Sequence, residues 1–233
     1  MIDYESKTRT PDYAASKPLT SSLFAKVYGL MAFGLALSGG VAYYVYSSGL
    51  FERLMPLFLP IVIVELILVI GLTFGVRKFS ASVLFLGFIA YAALNGVTLS
   101  TIFLVYKLTL IYKVFFLTAG MFGGLALYGS ITDSDLSKIG SICALGLWGL
   151  ILAAVVNIFL KSSGLDYVIS FAGVAIFTGL TMWDAQKIKA LAQIENQLDS
   201  ETKGNLAVSG ALILYLDFIN LFLSLLRLFG RKR

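Results

Sequence analysis

The chain has 233 residues, of which 58% are hydrophobic and only 13% are charged, and its mean hydropathy is +0.88. Soluble domains carry about 25% charged residues, so this composition excludes an ordinary soluble domain and predicts a protein of the lipid bilayer. The net charge is +5, but most Lys and Arg residues stand at the ends of apolar segments and form no basic face. We therefore expect no nucleic acid among its partners.

Residues that commonly bind metals are scarce. The chain contains no His, and Cys143 is its single cysteine, which excludes an internal disulfide and a thiolate metal cluster. Without His, any response to pH near neutrality must come from carboxyl or other groups in unusual surroundings. We expect no resident cofactor.

Seven apolar segments are long enough to cross the membrane, because about twenty helical residues span a hydrocarbon core of ~30 Å. They cover residues 24–46, 56–76, 81–105, 112–131, 139–160, 167–186 and 208–229. The first is too long for a signal-peptide core and lacks a cleavage pattern, so we expect it to remain as a helix. The sequence thus predicts an all-α membrane protein, with a polar N-terminal tail at 1–23 and one seven-helix domain at 24–233.

The distribution of basic residues predicts a cytoplasmic N-terminus. With the N-terminus inside, ten Lys and Arg residues lie on the inner side and four on the outer side, before the C-terminal end is counted. Seven crossings place Arg227 and the terminal residues 231–233 outside, which narrows the difference in the number of Lys and Arg residues between the two sides. Either the last segment does not fully cross, or this basic end is tolerated after six correctly oriented helices, and we favour the second alternative. The predicted location is the inner membrane of a bacterial cell.

Glycines are concentrated in the first and fourth segments, where Gly120 and Gly124 form a GxxxG motif. Small residues allow helices to approach closely in a bilayer, which supplies no hydrophobic drive between them. We expect these glycines to pack within the chain rather than to form a dimer motif.

Three acidic residues lie within the apolar segments: Glu65, Asp184 and Asp217. A charge at the membrane centre costs ~2.5–3.5 kcal/mol, so each needs a reason. Glu65, near the midplane, is a protonated packing residue, a pathway acid or a partner of a basic side chain.

The last segment has one polar stripe, within about 100° of the helix surface. The stripe comprises Gly210, Asp217, Asn220, Ser224 and Arg227. Asp217 therefore faces protein or water. Counting ~1.5 Å per residue places Asp184 and Asp217 at similar depths, so that contact between them is geometrically allowed.

Two close carboxyl groups interact strongly and titrate as a pair, which makes Asp184 and Asp217 a candidate proton sensor. A basic neighbour would favour the state in which both carboxyl groups are ionised. Protonation of the pair would remove this attraction and release the neighbouring basic residue and its helix. Carboxylate oxygens also suit Ca²⁺, and two acids with Asn220 and water would bind it weakly and transiently. Weak binding favours passage over storage.

Three stretches together resemble the Bax inhibitor-1, or transmembrane Bax inhibitor motif, family, and in particular its bacterial members. They are "GALILYLDFINLFLSLLRLFG" (210–230), "GLTMWDAQKIK" (179–189) and "YAALNGVTLSTIF" (91–103). The resemblance extends over about 20–233. The link between the sixth and seventh segments, "KIKALAQIENQLDSETKGN" (187–205), is longer than in the family's shorter members.

The resemblance implies a central last helix wrapped by the other six, and a pH-sensitive calcium leak governed by an aspartate pair. The pair falls on Asp184 and Asp217, and the family's acid in the second helix falls on Glu65. A basic residue that latches the pair falls on Arg77, with Lys78 as the alternative. Glu65 and Asn220 are then candidate polar residues of the ion pathway.

Other functions for seven apolar helices are less consistent with the residues. An intramembrane aspartyl protease needs a GxGD motif, but Leu214, Tyr215 and Leu216 precede Asp217. A retinal protein needs a lysine in the last helix, and none occurs between Leu206 and Leu226. We therefore predict no enzymatic activity. The remaining alternative is a regulator that binds another membrane protein, such as a quality-control protease or a component of a stress or cell-death response, without transport.

Overall fold

The computed structural model describes residues 22–76 and 78–230. Three parts of the chain that the sequence analysis used lie outside the described residues: most of the tail predicted at 1–23, Arg77 and the basic residues 231–233. Seven helices are long and apolar enough to cross a membrane, and within the described residues there is no β-strand. They are α1 (Ser22–Ser47), α2 (Leu50–Gly75), α3 (Ala81–Val105), α4 (Leu108–Ile131), α5 (Ser137–Leu160), α6 (Ser163–Gln193) and α7 (Ser200–Phe229). The predicted seven-helix membrane fold is confirmed.

Two of these helices contain local irregularities that the sequence explains. In α2, a 3₁₀ turn at Met55–Leu57 contains Pro56, which lacks the N–H needed to continue an α-helix. In α3, the regular helix Ala81–Leu99 is interrupted before Ile102–Val105. There the hydroxyls of Ser100 and Thr101 donate to the carbonyls of Val97 and Thr98, and so compete with the helical ladder.

Helix α7 occupies the centre of the bundle, as predicted. In the most apolar 18-residue stretch of α7, 67% of the residues are buried inside the protein, whereas no residue of the corresponding stretch of α5 is buried. The main neighbours of α7 are α1, α3, α4 and α6, while α2 packs mainly on α3 and α5 mainly on α6. The large apolar side chains of α2 and α5 are therefore exposed and face the surrounding lipid.

The link between α6 and α7 is much shorter than the sequence predicts. Helix α6 continues to Gln193 and α7 already begins at Ser200, so most of the predicted link is helical. The side chain of Asp199 accepts a hydrogen bond from the N–H of Thr202 and caps the start of α7. Hydropathy marks where a helix enters lipid, and these two helices extend beyond that boundary as polar helix.

The expectation for the GxxxG motif is wrong. A Cβ atom built on Gly120, Gly123 or Gly124 would meet no atom of the described residues within 4 Å. These glycines therefore face outward from the bundle. Gly34 of α1 does pack within the chain, because a Cβ there would contact the rings of Phe88 and Tyr215.

Candidate functional site

The packing of α6 against α7 brings Asp184 and Asp217 together. Both residues are buried, with 7% and 5% of their surfaces exposed. Their carboxyl groups are close enough to interact electrostatically. Two neighbouring buried carboxylates repel each other, so a proton or a cation placed between them would be favourable.

One oxygen of the pair is unsatisfied. Oδ2 of Asp217 is buried and has no hydrogen-bond partner in the part of the chain that the structure describes. A buried carboxylate oxygen without a donor is unfavourable, because it has lost its hydration and gained nothing in return. A proton on the pair, or a cation beside it, would relieve this cost.

The basic partner of the pair is Lys187, which the sequence analysis did not single out. Its Nζ lies 2.5 Å from Oδ1 of Asp184, one helical turn away on α6. The same ammonium lies 3.4 Å from the centre of the Trp183 ring. The i, i+3 spacing of an acid and a lysine was the signal in the sequence that predicts such a pair.

The predicted latch cannot be placed on Arg77, which is outside the described residues. Its alternative, Lys78, is exposed and lines a surface hollow together with Asp199 and Glu201. Within the described ranges, Lys78 forms no ion pair with either member of the aspartate pair.

Glu65 belongs to a different part of the molecule. It is buried on α2, and Thr98 of α3 donates a hydrogen bond to its Oε1 at 3.1 Å. Asn95, one turn earlier on α3, also interacts with this carboxyl group. The structure therefore places Glu65 against α3, while the aspartate pair lies between α6 and α7.

Tyr215 connects the Glu65 region to the centre of the bundle. Its hydroxyl donates to Oδ1 of Asn95 at 2.9 Å and lies 2.7 Å from the hydroxyl of Ser38 on α1. Tyr215 and Asp217 are two residues apart, or about 200° around the helix. Helix α7 therefore presents Tyr215 to α1 and α3 and Asp217 to α6, and it separates the two polar groups.

A cleft of about 340 Å³ opens at the end of the bundle where α7 ends. Its polar lining comprises Asn95, Thr98, Thr101, Tyr106, Asp166 and Arg227. Two of these, Asn95 and Thr98, also interact with Glu65. The cleft therefore adjoins two residues that interact with the Glu65 carboxyl group.

Asn220 does not join the aspartate pair directly. Its side-chain amide donates to the main-chain carbonyl of Leu216 at 2.8 Å, and the main-chain carbonyl of Asn220 accepts from the Ser224 hydroxyl at 2.7 Å. No group of three or more His, Cys, Asp or Glu side chains in the described residues converges on one point. The pair itself supplies only carboxylate oxygens, which are the ligands that Ca²⁺ prefers.

Comparison with known proteins agrees with this architecture. Residues 20–233 match the family described as inhibitor of apoptosis-promoting Bax1. The inner membrane protein YbhL of Escherichia coli K12 is 44% identical over 90% of this chain and 91% of its own length. A protein of Borreliella burgdorferi is 42% identical over 92% of this chain and 94% of its own, and RP147 of Rickettsia prowazekii is 38% identical over the full length of both. The chain therefore belongs to the Bax inhibitor-1-like family and is a multi-pass integral membrane protein.

Proposed function

We propose that this protein is a pH-sensitive leak for Ca²⁺ and related cations, gated by Asp184 and Asp217. In the closed state the two carboxyl groups hold α6 against α7. A change in the protonation of these carboxyl groups alters the attraction between α6 and α7 and the attraction of the pair for Lys187. The width of the path between α6 and α7 changes as a result. The permeant ions are Ca²⁺ and protons, and the lipid bilayer is the surrounding solvent.

The observation that carries this proposal is the buried pair with its unsatisfied oxygen. A structural ion pair in lipid would be expected to satisfy all of its oxygens, because nothing in the hydrocarbon replaces a missing donor. Oδ2 of Asp217 instead remains without a partner in the described residues. This arrangement favours a group whose proton or bound cation changes with conditions.

The polar groups on the other side of α7 support a path across the membrane. The cleft at the α7 end leads to Asn95 and Thr98, and these residues contact Glu65. A cation entering this cleft would meet carboxyl and amide oxygens before it reached the Tyr215 hydroxyl. Because Tyr215 and Asp217 face opposite sides of α7, a continuous path requires α7 to move relative to α1 and α3.

The test is Ca²⁺ entry into dye-loaded liposomes that contain the purified protein, measured between pH 5 and pH 8. We expect the wild-type flux to respond to pH, and Asp184→Asn and Asp217→Asn each to lose that response. Glu52→Gln is the matched control, since Glu52 is exposed at the start of α2. An unchanged pH response in Asp217→Asn would refute the assignment of the gate.

A second candidate function is the restraint of another membrane protein without transport. An apolar groove of about 530 Å³ lies between α1 and α4, with Phe218 and Phe222 of α7 at its base. Gly39 and Gly40 line it and have open space at their Cβ positions. This surface suits the apolar helix of a partner. Flux equal to that of empty liposomes at every pH would favour this function over the leak.

A further inference from the structure

We propose that Lys187 is a tethered cation that occupies the aspartate pair until a divalent cation displaces it, and that it thereby selects against monovalent cations. This inference rests on the proposed leak, because it assigns the ion selectivity of that same site. It differs from a latch between α2 and the pair, since Lys187 and Asp184 belong to one helix.

The contacts of Lys187 place its charge at the pair. Its ammonium is 2.5 Å from Oδ1 of Asp184, and its charge also acts on Asp217. A cation bound between these carboxyl groups would lie close to the ammonium of Lys187 and would be repelled by it. Lys187 and a permeant cation therefore compete for one site.

Lys187 is also able to leave the site. Its side chain is 46% exposed, whereas that of Asp184 is 9% exposed. The ammonium thus lies at the border between the buried carboxyl groups and the surface. Movement of a lysine side chain requires rotation about its own bonds only, with no change in the helix.

Trp183 contacts the ammonium at the same time as Asp184 does. The ring of Trp183 lies 3.4 Å from Nζ of Lys187, and a cation over an indole ring is stabilised by the ring's electrons. The ring is itself fixed in a slot, because a Cβ on Gly140 of α5 would collide with it. The ring therefore contributes to holding the ammonium beside the pair, and a displacing cation must overcome the attraction of both Asp184 and Trp183.

The charge of the incoming ion decides the competition. A monovalent ion offers the pair the same single charge as Lys187, which is already tethered beside it and therefore has the higher effective concentration. A divalent ion offers twice the charge and draws on oxygens of both carboxyl groups. Wild-type protein should therefore pass Ca²⁺ in preference to K⁺, and the preference should depend on the charge of residue 187.

The neighbouring Lys189 is the matched control. It lies two residues further along α6, and its Nζ donates to the carbonyl of Thr132 at 2.9 Å and lies 3.7 Å from Asp133. Neutralising Lys189 removes one positive charge from the same end of α6 without touching the aspartate pair.

The first experiment measures K⁺ and Ca²⁺ flux in liposomes for Lys187→Gln and Lys189→Gln. We expect Lys187→Gln to raise the K⁺ flux about fivefold relative to Ca²⁺, the effect of removing one partly exposed ion pair, and Lys189→Gln to leave the ratio unchanged. A structural role of Lys187 would alter both fluxes together. An unchanged ratio in Lys187→Gln overturns the inference.

A second experiment does not depend on transport. The full-length protein in detergent is treated with an acetylating reagent, and the modification of Lys187 and Lys189 is followed by mass spectrometry with K⁺ or millimolar Ca²⁺. We expect Ca²⁺ to accelerate acetylation of Lys187 only, because displacement frees its amine. No acceleration overturns the inference even if the leak is observed, whereas acceleration without any flux supports the competition and refutes the leak.

Discussion

The hydroxyl of Tyr215 offers a sharp test of how α7 is held in the bundle. Tyr215→Phe keeps the ring, which packs edge-on against Phe88 and Tyr91, and removes only the oxygen. The ring is fully buried and the hydroxyl joins Ser38 of α1 to Asn95 of α3. The substitution therefore breaks the polar link between three helices without creating a large cavity.

The expected loss of stability follows from the two hydrogen bonds of the hydroxyl. An interhelical hydrogen bond in a membrane protein contributes about 0.6 kcal/mol on average. Ser38 keeps the carbonyl of Ala92 as an acceptor at 2.7 Å, whereas Oδ1 of Asn95 loses its donor. Water from the adjoining cleft limits that second cost, so that we expect a total loss of about 1–2 kcal/mol in the free energy of unfolding.

The assay is thermal unfolding of the purified protein in detergent. For a chain of this size, 1 kcal/mol corresponds to roughly 2–4 °C in Tm, so Tyr215→Phe should lower Tm by several degrees. Tyr44→Phe is the control, because Tyr44 lies on α1 with 64% of its surface exposed and should leave Tm unchanged. A double-mutant cycle with Ser38→Ala isolates the contact between the two hydroxyls. A Tm for Tyr215→Phe equal to that of Tyr44→Phe would refute the reasoning.

Two further predictions concern stability. Gly129→Ala should lower Tm, because its Cβ would collide with the main-chain carbonyl of Met182 on α6, whereas Gly120→Ala, with open space, should not. Glu195 lies in the α6–α7 link, and the hydroxyl of Ser22 on α1 donates a hydrogen bond to its carboxylate. This hydrogen bond holds the pKa of Glu195 below its ordinary value. The stability from this contact should be present above about pH 4.3 and lost as pH falls through the lower folded-state pKa. Wild type and Glu195→Gln should therefore differ in Tm at pH 6 and converge in strong acid, and a difference that grew in acid would contradict this sign.

The seven spans and the positions of the buried acids follow from the amino-acid sequence alone. Each span is a local property, since the free energy of transferring a segment into lipid depends on its own residues. The bilayer then requires that every backbone group be satisfied within the segment, which leaves the helix as the only choice for an apolar run of this length. Asp184, Asp217 and Glu65 stood out for the same reason, because an acid within such a run is costly wherever it faces.

Which of these groups contact one another depends on the packing of the helices. The contact between Asp184 and Asp217 depends on the rotation of α6 and α7 about their axes, and the depth estimate from the sequence carries no information about rotation. The rotation of α4 likewise turns Gly120 and Gly124 outward, and that of α2 places Glu65 against Thr98 of α3. Hydropathy measures the transfer of each helix from water to lipid, whereas these contacts depend on how helices fit against one another inside the lipid, where that transfer term no longer distinguishes one face from another.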